Sequence, residues 1–136
     1  MRTQVTIGQR IDVGGRMRYS WLPRTAGVVT AAYGIAVAAR PAVMLAPCGW
    51  SDDSASARAM ARMVGLRDVA SGLALVAARE PGQLRIAAAV RVGSDLADTA
   101  VLGLALRGSP QQAKALAVTA GWAAFCAATS MVALRR

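Results

Sequence analysis

The chain has 136 residues, 55% of them apolar, 17% charged and 4% aromatic, with sixteen Lys and Arg against seven Asp and Glu. That length holds one domain, and the apolar share excludes a disordered chain, while two cysteines and thirteen glycines exclude disulfide-dense and collagen-like scaffolds. The absence of histidine removes imidazole acid–base catalysis, imidazole metal ligation and the usual sensor of mild pH change.

Residues 1–21 read as a basic arm, with Arg2, Arg10, Arg16 and Arg18 against the single acid Asp12. The first long apolar run begins only at Thr25, too late for the apolar core of a secretory signal, so no cleaved signal peptide is expected. Gly14-Gly15 suits a turn, and a lone glycine pair does not make a phosphate-binding loop.

Four apolar blocks follow, separated by clusters of Pro, Gly, Ser and charge. The first covers about residues 24–46, flanked by Trp21 and Trp50, whose indoles suit the two headgroup layers, and Arg40-Pro41 should end or kink it. The loop at 47–56 carries Asp52, Asp53 and three serines, which can stop one helix and cap the next. The second block runs over 57–78 and turns at Arg79-Glu80-Pro81-Gly82 into the third, 83–106. Arg107-Gly108-Ser109-Pro110 breaks the third from the fourth, 111–134, whose residues 115–134 are uncharged and which Arg135 and Arg136 close. Only the fourth block passes a single-span test unaided. As helices, blocks of this size would be roughly 33–36 Å long, enough to cross a hydrocarbon layer of about 30 Å. The expected fold class is therefore all-α: a four-helix transmembrane bundle over 22–136 with a short basic N-terminal arm.

Loop charge sets the expected orientation in a plasma membrane. With the N-terminus cytoplasmic, nine basic residues (Arg2, Arg10, Arg16, Arg18, Arg24, Arg79, Arg85, Arg135, Arg136) lie inside and five (Arg40, Arg58, Arg62, Arg107, Lys114) outside. Positive residues favour the cytoplasmic side, so both termini should be there.

The second and third blocks carry charges far from their ends: Arg67 and Asp68, then Arg91, Asp95 and Asp98. Each costs about 2.5–3.5 kcal/mol at mid-span, so five unpaired charges would defeat insertion. In an antiparallel hairpin turning near Pro81-Gly82, Arg67 falls within a helical turn of Asp95 and Asp98, and Asp68 about a turn from Arg91. At 100° per residue, Arg91, Asp95 and Asp98 share an arc of about 60° on an otherwise apolar block. Arg67, Asp68, Ser71, Gly65 and Gly72 share one side of the second block, and the two glycines permit close backbone approach. This polar stripe should face inward, first as an ion-pair network fixing helix partners and alternatively as a path for an anion, a proton or a lipid headgroup, with Asp95 or Asp98 as the proton-active carboxylate.

Arg58 and Arg62 read as interfacial cations, or as a clamp for a headgroup phosphate. Tyr33, Trp122 and Phe125 read as packing aromatics, and Cys48 and Cys126, in no metal-ligand spacing and at different depths, should stay unpaired. No cofactor, metal site or catalytic residue is expected, and hence no enzyme.

At Gly65-Leu66-Arg67-Asp68, followed by Ser71-Gly72-Leu73, with Asp95 and Asp98 on the third block, the chain resembles a family of small actinobacterial four-helix integral membrane proteins grouped as a domain of unknown function. The likeness spans about residues 22–134, and the bias toward Arg, Ala, Val and Gly fits a GC-rich coding genome. The resemblance implies a fold and a membrane location without an activity. Three function classes follow. The favoured one is a non-enzymatic accessory or scaffold protein whose partners are the lipid bilayer and either further copies of itself or another membrane protein. The second is a small transporter or proton-coupled carrier using the same polar cluster. The third is a soluble basic helical protein that binds nucleic acid, disfavoured because the arginines scatter over loops and termini without interleaved aromatics.

Overall fold

The computed structural model describes residues 21–135, and among them every regular element is helical. The arm at 1–20, with Arg2, Arg10, Arg16, Arg18 and the Gly14-Gly15 pair, lies outside the described residues, as does Arg136. Helix α1 covers Trp21–Ala39, a short α2 covers Ala42–Leu45, α3 covers Ala55–Ala77, α4 covers Pro81–Ala105 and α5 covers Gln112–Leu134.

The expected first block is divided at Arg40-Pro41. Pro41 lacks the amide that would continue α1, so the chain restarts as α2 and a 3-10 turn at Ala46–Cys48, closed by Gly49 at φ 73°. The Ser54 hydroxyl then accepts a 3.1 Å bond from the Ala57 amide and caps α3. Pro81 occupies the first turn of α4, where no amide is needed, and the Gln83 side chain accepts from the Arg79 amide at 2.9 Å. Two helices, α1 as well as α5, are long and apolar enough to cross a membrane by length and composition. Only the fourth block was expected to pass that test unaided; α1 passes as well.

The most extensive contact joins α1 and α3, and it is made of glycine. A Cβ placed on Gly27 would lie 2.5 Å from the Gly72 carbonyl oxygen, and one on Gly65 would lie 2.7 Å from that of Gly34. Both pairs are seven residues apart on their own helices, two turns each, so the antiparallel backbones meet at two levels. Side chains at those positions would wedge the helices apart. The reciprocal arrangement of carbonyls against glycine Cα atoms suits weak Cα–H···O contacts.

Helices α3 and α4 are antiparallel, as are α4 and α5, where the Gln112 side chain donates to the Gly103 carbonyl at 2.8 Å. One end of the molecule is packed by Val37, Leu45 and Ala61 beneath Trp50, the other by Leu75, Ala78, Leu84, Ala87, Ala88 and Ala133. Cys48 and Cys126 are both buried and free, and burial pushes the Cys48 thiol up from its ordinary range.

Candidate functional site: a buried Arg–Asp network

The centre of the α3–α4 contact is charged. Arg91, Asp95 and Asp68 are 2%, 3% and 5% exposed, while apolar Met63 and Leu104 on the outer faces of the same helices are 72% and 70% exposed. Folding in water selects the opposite distribution.

The five groups form an alternating string. Arg91 grips both carboxylate oxygens of Asp95, one turn ahead on the same helix, through Nε and Nη2. Its Nη1 donates across to Asp68 Oδ1 at 2.7 Å and to Ser71 Oγ at 3.1 Å. Arg67 returns the exchange: Nη1 and Nη2 donate to Asp98 Oδ1 and Oδ2 at 2.8 and 2.6 Å, and Nη2 also reaches Asp68 Oδ1 at 3.0 Å. The order is Asp95, Arg91, Asp68, Arg67, Asp98. Both arginines make two-pronged contacts of the strong, planar kind. Arg67 and Asp98 form the partly exposed edge of this network.

All five residues singled out in the sequence converge here, with one correction to the pairing. Asp95 was placed within reach of Arg67, but it is held by Arg91, because a pair spaced i, i+4 closes within one helix and needs no particular register between two. The crossed pairs are Arg67 with Asp98 and Arg91 with Asp68.

Arg58 and Arg62 sit near the start of α3, and both guanidiniums serve the backbone. Arg58 Nη1 donates to the carbonyls of Asp52 and Asp53 at 2.6 and 2.8 Å, and Arg62 Nε donates to that of Ala38 at 3.3 Å, completing the C-terminus of α1. Tyr33, expected to pack, is an exposed side chain on α1, and Phe125 is likewise exposed, its ring centroid 5.2 Å from that of Trp122.

Polar contacts that the sequence reading missed tie α5 to its neighbours. The Trp122 indole donates to Thr30 Oγ1 on α1 at 3.2 Å, and the hydroxyls of Thr99 and Thr119 meet at 2.8 Å between α4 and α5. Matching threonines on the apolar faces of adjacent blocks were the available signal for the second. For the first, 92 residues separate the partners and no periodicity connects them.

No known protein family matches the chain, and neither the curated proteins nor the solved structures yield a match. The reading of this site therefore rests on its own chemistry.

Proposed function

We propose that the chain is a small, non-enzymatic multi-pass protein of the plasma membrane, a four-helix transmembrane bundle acting as an accessory or scaffold unit. The observation that carries this reading is the inverted polarity: carboxylates and a guanidinium inside, large apolar side chains outside. Residues 25–39 of α1, 63–77 of α3, 86–105 of α4 and 115–134 of α5 carry no charge except the five members of the network. These stretches are roughly 22–30 Å long, close to the thickness of a hydrocarbon layer. Exposed charges gather beyond both ends: Arg24, Arg79, Glu80, Arg85 and Arg135 at one, Arg40, Asp53, Arg62, Arg107 and Lys114 at the other.

The charges of α3 and α4 are what keep these helices from passing as spans individually. Paired across the hairpin, the charges offset one another with only the Arg67–Asp98 edge partly exposed, and the two segments enter the bilayer as one unit. The end with Trp21 and Arg135 faces the cytoplasm in this reading. A nucleic-acid role is disfavoured, because Arg67 and Arg91 are engaged by carboxylates and, among the described residues, the remaining helix faces lack a continuous basic stripe.

Extraction of membranes with alkaline carbonate tests the proposal. The protein should stay in the pelleted bilayer, and release into the aqueous fraction would overturn the membrane reading.

A further inference from the structure

The network does not balance. Two guanidiniums face three carboxylates, so full ionisation leaves one negative charge in excess between α3 and α4. Among the described residues, no neighbouring element offers a compensating cation. The titratable group facing the network from α1 is Tyr33, within electrostatic range of Asp68 and Asp98, and the one from α5 is Cys126, within range of Arg91. Neither carries positive charge in any state.

The bonding pattern shows where a ligand of the network can sit. Asp95 and Asp98 each give both oxygens to an arginine. Asp68 offers Oδ1 to both arginines, and among the described residues no donor reaches its Oδ2, which is not fully sealed off. A metal cation wants several oxygens at once, and every other carboxylate oxygen here already accepts from a guanidinium. A proton wants one. Excess charge in a low-dielectric interior is relieved by binding a proton, because the neutral acid needs no solvation that the site cannot supply.

We propose that the Asp95–Arg91–Asp68–Arg67–Asp98 network is a proton-binding site that holds one proton at neutral pH. The proton belongs to the network as a unit, since each group in the string is bonded to the next and no single carboxylate is set apart. Exchange takes place at the partly exposed edge, where Arg67 and Ser71 line a groove of about 600 Å³ between α3 and α4. The inference rests on the membrane reading, because a surrounding bilayer withholds the water that would otherwise screen the unbalanced charge at the partly exposed edge.

Infrared spectroscopy of the full chain in phospholipid vesicles at neutral pH tests it, since ordinary carboxyl groups are ionised there. The wild type should show the carbonyl stretch of one protonated carboxyl group. Asp98→Asn, which brings the count to two against two, should abolish that band, and Asp53→Asn should leave it unchanged. Asp98 is the least buried of the three carboxylates, and if its variant does not fold, Asp95→Asn tests the same count. No band in the wild type, or a band that survives these network substitutions, overturns the proposal. Flotation of the same vesicles reads insertion separately: protein that floats without the band contradicts the proton site alone, and protein that does not float contradicts both readings.

Discussion

Helix α3 is held on one side by α1 and on the other by α4, and the two contacts are built on opposite principles. Against α1 the backbones touch through Gly27, Gly34, Gly65 and Gly72, and nothing polar is needed. Against α4 the helices are bridged by long side chains whose charged ends interlock. In lipid the apolar outer faces supply no force that drives helices together, so association depends on close contact or on polar bonds. The first interface fails when atoms are added, and the second fails when they are removed.

The largest expected effect is on the charged side. Arg91→Leu strands Asp95 and half the bonding of Asp68 in a buried site, and unfolding in detergent should show a loss of about 3–5 kcal/mol. Replacing Arg91 and Asp95 together by leucine should recover much of that loss, because the unpaired charge goes with its partner. A single variant as stable as the wild type would remove the network from the account of what holds α4.

On the glycine side the effect is smaller and has the opposite cause. Gly65→Ala pushes a methyl group against the backbone of Gly34 and Ala38, at a cost of about 1–3 kcal/mol in the same assay. Gly93→Ala on α4 meets nothing within 4 Å and should be neutral, or stabilising by up to about 1 kcal/mol through helix propensity. Equal behaviour of the two variants would mean that α1 and α3 do not touch.

How much of this was legible in sequence follows the same division. The charged interface was visible because five ionisable residues on apolar helical stretches have few places to go, and their angular positions point to one side. The pairing of Asp95 was not, because antiparallel alignment sets depth but does not decide between a partner across the hairpin and one a turn away on the same helix. The second-block glycines were noticed, but their partners were not. Gly27 and Gly34 repeat the spacing of Gly65 and Gly72, and that match becomes evidence only once α1 is known to lie against α3. The break at Arg40-Pro41 was readable from proline alone, whereas the short helix after it depends on packing of Leu45 beneath Trp50.

The central claim is that the outer faces of α3 and α4 meet lipid at the level where the inner faces carry charge. A nitroxide attached at position 96, an exposed leucine beside buried Asp95, tests this directly in vesicles of a variant lacking Cys48 and Cys126. The account predicts relaxation by oxygen, which partitions into lipid, and little by a water-soluble nickel chelate. Strong relaxation by the chelate and weak relaxation by oxygen would place that face in water and contradict it.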